Sequence, residues 1–449
     1  MQEGTTKVES GTPSVSDIPV DLTNKQDSLS CPIHDVDTFD AGFLQDPYPF
    51  YARTRKEAPV YRDANTGVVY VATYELIREV SRRPDVFSNQ FAEFLSGGGT
   101  NKLTDEERAI KAEGVAQVDT MLTADPPRHT RYKKIAMSAF TTRRAEEMSG
   151  FVEELCHELI DGMPEGGCEF KQHFANRLPM YVISEVLGVP RSKFDQFEQW
   201  TDAFILQLSG LANEEQRLWA ARTILDCQRY FLEVIAHKRQ FPADDVISDL
   251  VNADITDEDP PRKMNDEELI SILQQLLVAG NETTAHTLTA GLNYLLQRPD
   301  TLAKLKADPG LAGNFVEETL RFLTPTNNMW RVVKSDHQIG GVDVSAGDLV
   351  LLRYGSANRD EEQFEAPDDF DIERDNIRRH MAFGSGIHHC LGSQLARKEM
   401  TLAFPIILQR LSQLELDESN GSLRYLPSVL LRGVENLHIS YQKQPRRNL

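Results

Sequence analysis

The segment from Asn265 to Gln297 reads as one long helix, and what lies on its buried face limits what can pack around it. Asn265 and Glu268 form a capping-box start. Apolar residues follow at Leu269, Ile272, Leu273, Leu276 and Leu277, a helical stripe. Pro299 marks the stop. Farther along, the leucines give way to Gly280, Thr283, Thr284 and Thr287. That change leaves room for something flat or polar against the helix. The same pattern also suits a close helix–helix contact.

Helical patterns dominate the rest of the chain, with a few strand-like runs, so the expected class is mainly α with small β-sheets. Further helices are expected over 125–140 and near 142–162, 174–187, 193–208, 214–238 and 242–252. Val68 to Val71 is β-rich after the turn-like Asn65-Thr66-Gly67, and Thr73 resembles an N-cap for a helix from Tyr74. Leu349 to Leu352 is a second short strand, and Gly340-Gly341 sits between two more. Phe91 to Thr123, with Gly97-Gly98-Gly99, is expected to be a long loop holding one helical piece. No Pro/Gly-rich linker divides the body, which points to one large domain over 35–449 behind a flexible N-terminal tail over 1–34.

Composition acts by exclusion. Lys and Arg number 48 against 69 Asp and Glu, a net charge of −21 that repels nucleic acid and anionic membrane. The five cysteines, Cys31, Cys156, Cys168, Cys227 and Cys390, are scattered, and none forms a CxxC pair. That usage suits a reducing, cytoplasmic compartment rather than a disulfide framework or a zinc site. The first thirty or so residues lack the apolar stretch of a signal peptide or membrane anchor.

The chemistry concentrates in Phe383-Gly384-Ser385-Gly386-Ile387-His388-His389-Cys390-Leu391-Gly392. Two glycines before the cysteine permit positive φ and a tight bulge. Cys390 then falls at the start of an apolar helix carrying Leu391, Leu395, Ala396 and Leu402. Free N–H groups and the dipole at a helix start stabilise a thiolate. Gly392, lacking a side chain, lets a planar macrocycle approach. A lone cysteine is more often a plain core residue, but a cysteine in a glycine loop at a helix start is a different case.

This stretch resembles the haem-binding loop of the cytochromes P-450, Phe-Gly-x-Gly-x-His-x-Cys-x-Gly, and matches every fixed position. Three more segments in the right order extend the resemblance from about Tyr48 to the end. It implies the cytochrome P-450 fold of the soluble bacterial type, haem b as cofactor and Cys390 as the iron ligand. Glu318 and Arg321 are an ExxR pair, in isolation most often a surface pair. The resemblance implies that they join Arg374 in a structural lock. Ala279-Gly280-Asn281-Glu282-Thr283-Thr284 is similar to the family's oxygen-activation segment. It implies an oxygen-side hydrogen bond from Thr283 and proton delivery by Glu282; a solvent-facing Glu and a packing Thr are the alternative. A mid-helix Thr hydroxyl also bonds back to the carbonyl at i−4, here Ala279. His129, Lys133, Arg331 and His388 are placed on the haem propionates, and Phe383, Gly384, Gly392 and Ala279 against the ring. Lysine offers a point charge where an arginine fork is commoner. His389 has no assigned role.

The implied activity is a haem-thiolate monooxygenase, an oxidoreductase inserting one atom of O₂ into an unactivated C–H bond. Terpenoid or steroid-like substrates come first, a fatty acid or aromatic acid second. Family topology places Phe87, Phe91, Phe94 and Leu95 over the haem. It places Phe204 and Leu208 in the roof, Leu276 along the long helix, and Asn328, Met329, Val429 and Leu430 in the walls. Electrons are expected from a separate ferredoxin or flavodoxin with its NAD(P)H reductase, the enzyme itself being monomeric. Two basic groups, Arg128, Arg131, Lys133, Lys134 and Arg378, Arg379, Arg397, Lys398, are expected to dock an acidic donor. The competing classes are a peroxide-driven peroxygenase and a non-catalytic haem-thiolate sensor. The intact acid–Thr pair argues against both, because neither needs a proton relay.

Overall fold

The computed structural model describes residues 32–91, 103–137, 139–209, 212–420 and 423–446, with backbone alone at 208, 209 and 420. One helix organises it. Asp266–Leu296 runs 31 residues without interruption, and Asn265 caps it as the sequence indicates. The Asn265 side chain accepts from the Glu268 amide at 2.9 Å, and the Glu268 carboxylate accepts from the Asn265 amide at 2.8 Å. The helix is buried along most of its length because five others wrap it: Arg177–Leu187, Phe194–Ser209, Glu214–Gln240, Ala312–Leu323 and Ser393–Arg410. A helix buried almost all round its second half, from Thr284 to Leu295, must lie at the centre of a fold.

A five-stranded sheet lies to one side, ordered Val60–Arg62, Val69–Val71, Leu349–Arg353, Asn328–Val333, Phe87–Ser88. Its one parallel pairing sets Val350 opposite Val69; the others are antiparallel. Three smaller sheets complete the β content of the described residues. Gly340 and Gly341 make the turn between His337–Ile339 and Val342–Val344, both at positive φ. The architecture is mainly α with small sheets, in one domain.

Several expected boundaries move. The helix of 142–162 is two, Thr142–Glu147 and Ser149–Gly162, divided at Met148. That of 174–187 begins at Arg177, behind a π-helical turn over Lys171–Ala175. The helix of 242–252 shortens to Val246–Asn252, which Asp245 caps. Among its described residues, the stretch between Phe91 and Thr123 holds one helix, Asp105–Ala112, with a complete capping box at Thr104 and Glu107. Ile33 is buried in the cluster of Phe50, Tyr51 and Tyr61. The packed body therefore reaches back into the segment 1–34 read as tail, whose first 31 residues lie outside the described residues.

The segment Ala312–Leu323 anchors the underside of the fold. Glu318 and Arg321 are wholly buried, not a surface pair. All five guanidinium protons of Arg321 are used. Two go to the Glu318 carboxylate at 2.7 Å each, and the others to the carbonyls of Asn358, Pro367 and Asp369 at 2.8–2.9 Å. Glu318 also accepts the Asp371 amide at 2.8 Å, with Arg374 Nε 3.7 Å away. Arg374 meanwhile donates to the carbonyls of Glu365, Ala366 and Asp369. A buried ion pair is tolerable only when it is well supplied with hydrogen bonds; here all five Arg321 protons are used and the Glu318 carboxylate accepts three bonds.

Candidate active site

Beside Glu318, Glu317 turns to a different set of partners and pins the approach to the cysteine. Its carboxylate accepts from Arg397 Nε at 2.7 Å and from His380 Nε2 at 2.9 Å. His380 Nδ1 accepts the Ala382 amide at 3.2 Å, so the proton belongs on Nε2 and the ring is the neutral donor. The Arg397 guanidinium also lies 4.4 Å over the Phe383 ring. Residues 380–383 are thus held from below just before the chain turns.

The turn itself depends on two glycines. Gly384 and Gly386 have φ of 72° and 74°, and a Cβ at Gly386 would stand 2.2 Å from the Ser81 carbonyl oxygen. The Cys390 amide closes the loop on the Phe383 carbonyl at 2.9 Å. The following helix is Ser393–Arg410, with Gly392 as its N-cap, so Cys390 stands two residues ahead of the N-cap rather than in the first turn. Its sulfur still meets the N–H groups of Gly392 and Ser393. Burial pushes the thiol up, while these amides and the charges of Lys133 and Arg397 oppose the shift. A Cβ at Gly392 would meet nothing within 4 Å.

That open space belongs to a cavity of about 420 Å³ between the cysteine loop and the central helix. Phe383, Gly384, His388, Cys390 and Gly392 line one side; Ala279, Gly280, Glu282, Thr283 and Thr287 line the other. Thr283 donates its hydroxyl to the Ala279 carbonyl at 3.1 Å, the i−4 back-bond expected from sequence.

Glu282 does not face solvent. Its carboxylate is 3.0 Å from His286 Nε2, one turn on, and 3.9 Å from Lys171 Nζ in the π-helical turn. The neighbouring His286 and Lys171 outweigh burial and hold its carboxyl at about 2. His286 Nδ1 is buried without a partner, and the ring is pressed so close to Gly433 that a Cβ there would lie 2.1 Å away. Burial lowers the His286 pKa, and its Nε2–H donates to the Glu282 carboxylate. Sequence reading missed His286 and Lys171. The i, i+4 spacing of Glu282 and His286 was visible; Lys171 carried no signal.

A third group gathers at the cavity edge. The His129 and His388 rings are 4.1 Å apart, and His129 Nδ1 and His388 Nε2 are buried with no partner. Arg331 is 2% exposed and spends one bond on the Trp330 carbonyl. Burial and neighbouring cations lower His129 to about 4 and His388 to about 2. Donors that converge with no anion between them are what two buried carboxylates require. Lys133 differs from expectation: its ammonium is already held by the Ile387 and His389 carbonyls at 2.5 and 2.8 Å. It straps the cysteine loop, and His389 gains a role as the backbone acceptor of that strap.

Of the expected substrate contacts, Phe91, Phe204, Leu276, Met329 and Leu430 line the cavity. Phe87, Asn328 and Val429 do not. Phe87 pairs with Val333 at the sheet edge and packs into the core beneath. Asn328 turns away to donate to the Val429 carbonyl. Phe94 and Leu95, and the side chain of Leu208, lie outside the described residues.

A sequence model of the family described as "Cytochrome P450" matches residues 169–308 and 311–436. The chain belongs to the cytochrome P450 family. Cytochrome P450 monooxygenase PikC of Streptomyces venezuelae is 36% identical over 94% of this chain and 97% of its own length. Steroid C26-monooxygenase of Mycobacterium tuberculosis is 33% identical over 92% and 98%. The solved structure of CYP109E1 from Bacillus megaterium in complex with testosterone superposes with a TM-score of 0.74, at 29% identity over 88% of this P450 and 99% of that chain. The P450 is therefore an oxidoreductase of the monooxygenase class with haem b as its cofactor. The residues present fit that group. Cys390 offers the one thiol among the described residues that line the cavity at Gly392, and His129, Arg331 and His388 supply donors for two carboxylates. Among the described residues no helix is long and apolar enough to cross a membrane, and no group of three or more His, Cys, Asp or Glu could hold a separate metal ion.

The carboxylates that build this frame set its acid limit. Glu282, Glu317 and Glu268 are each held at about 2, far below the unfolded value near 4.3. A depressed folded pKa adds stability above the unfolded pKa and loses it as pH falls towards the folded one. Thermal unfolding midpoints are therefore expected to fall between about pH 4.5 and pH 2, each group contributing on the order of 1–3 kcal/mol. Glu317→Gln should shrink that fall; an acid branch unchanged by the substitution would contradict the assignment.

Proposed function

We propose that this P450 inserts one atom of O₂ into a C–H bond of a neutral, elongated, largely apolar molecule, with electrons from a separate acidic donor protein. The observation that carries the reading is the pairing of a cavity-facing hydroxyl at Thr283 with a buried, partnered carboxylate at Glu282. When bound, the haem held by Cys390 supplies oxygen activation and oxidation of the C–H bond. The chain's own side chains do the rest. The Thr283 hydroxyl, anchored on the Ala279 carbonyl, presents its oxygen lone pairs to the cavity. Glu282 sits one residue away with a proton-bearing imidazole and an ammonium at its back, a route by which protons reach the hydroxyl.

The cavity wall supports a neutral substrate. Above Thr283 the described lining is apolar or carries amides and hydroxyls. The cations Lys133 and Arg331 and the imidazole of His129 sit at the cysteine side, committed to the loop or the propionates. A fatty acid or aromatic acid would find no cationic partner for its carboxylate among the described residues of that lining. A steroid- or terpenoid-like skeleton does not meet that cost. For the donor, three of the eight basic residues expected to dock it are neutralised: Arg131 by Asp257 and Glu258, Arg397 by Glu317 and Lys398 by Glu146. Arg128, Lys134, Arg378 and Arg379 remain exposed and form the proposed contact.

Thr283→Ala tests the reading. With a surrogate ferredoxin and reductase, NAD(P)H consumption is expected to continue while product per reductant falls about tenfold or more and peroxide accumulates. Unchanged coupling would remove Thr283 from the relay. In the wild type, product formed with peroxide alone would establish a peroxygenase, and product by neither route a sensor.

A further inference from the structure

Polar side chains in an apolar wall are normally consumed by their neighbours. Along the first half of the central helix, one that lines the cavity is left over. Ser271 accepts the Val118 amide at 3.1 Å. Gln275 accepts the Leu122 amide at 2.9 Å and donates to Thr120 at 2.7 Å. Gln274, which also lines the cavity, is 6% exposed, and its amide nitrogen is buried with no partner.

Its direction follows from the residues one and two turns on. Val278 packs against the cluster of Ala203, Ile205 and Leu206 on the roof helix Phe194–Ser209, and Asn281 donates to Thr201 of that helix at 3.5 Å. Positions four and seven apart share a helix face, so Gln274 also faces the roof. Phe204 and Gln207 of the roof line the same cavity. Gln274 and Thr283 are nine positions apart, about 13 Å along the helix axis.

We propose that Gln274 anchors the substrate, its amide binding a neutral hydroxyl or carbonyl oxygen at the end remote from Thr283. This rests on the monooxygenase reading and narrows the substrate to one with a neutral oxygen at that distance from the carbon oxidised. A carboxamide both donates and accepts, so it suits a hydroxyl as well as a ketone or ester. It carries no charge to balance a carboxylate. An amide left unpaired in a folded wall is costly to stability, and ligand binding removes that cost.

A molecular ruler tests the proposal. The haem-loaded protein is titrated with 1-(ω-hydroxyalkyl)imidazoles and matched 1-alkylimidazoles over a series of chain lengths. Affinity is read from the Soret shift as the imidazole nitrogen binds iron. At the chain lengths that span the gap, wild type is expected to favour the hydroxyl compound by about fivefold to tenfold more than Gln274→Met does, the worth of one neutral hydrogen bond. The alkyl compounds should bind both proteins alike, and Gln274→Met should melt no lower than wild type. The same hydroxyl-to-alkyl affinity ratio in both proteins at every length would overturn the proposal. A preparation lacking the thiolate spectrum would sink the monooxygenase reading instead, which separates the two failures.

Discussion

Arg321→Ala is expected to yield little soluble protein, and that little should carry no haem. The substitution leaves the Glu318 carboxylate charged, fully buried and short of its principal partner. It also strands the carbonyls of Asn358, Pro367 and Asp369, which the same guanidinium satisfies. Breaking one side of a buried pair costs about 3–5 kcal/mol, and each buried carbonyl left unpaired adds about 1–3. Together these match the whole stability of a typical domain, roughly 5–15 kcal/mol. Arg321→Lys should not rescue it, because one ammonium cannot replace a planar fork of five donors. Soluble yield and the haem-to-protein ratio measure the effect. A soluble Arg321→Ala protein with full haem would show that the network is dispensable.

Cys390→His is expected to do the reverse: keep the fold and lose the reaction. Cys390 points into the cavity and contributes its backbone, not its side chain, to the loop closure at Phe383. The glycine turns and the Lys133 strap remain in the variant. What disappears is the thiolate, whose electron donation to iron favours O–O cleavage. Product formation should fall below detection while the thermal midpoint stays close to wild type. Retained turnover would place the iron ligand elsewhere.

The parts of this site that sequence exposed are those in which a local rule and a family motif agree. The capping box at Asn265, the Thr283 back-bond and the glycine loop before Cys390 each follow from residues close in the chain. The resemblance supplied what local rules do not: that Glu318 and Arg321 lie inside, and that His129 and Arg331, some two hundred residues apart, meet His388. What stayed hidden depends on tertiary placement. Lys171 reaches Glu282 only because a π-helical turn presents it there. The dual role of Lys133 depends on carbonyl directions in a loop more than 250 residues away. Gln274 reads like any polar residue on a helix until its neighbours' hydrogen bonds are counted. Phe87 and Asn328 were misplaced for a related reason, since a strand edge turns alternate side chains to opposite faces and one residue of register decides which.

The bond between the Cys390 sulfur and iron carries the rest, and the spectrum of the reduced, carbon monoxide-bound protein reads it directly. Wild type loaded with haem b should show the strongly red-shifted Soret band of a thiolate-ligated iron, and Cys390→His should show the shorter-wavelength band of a nitrogen ligand. A wild-type protein that takes up no porphyrin, or gives the nitrogen-type band in both forms, would contradict the account.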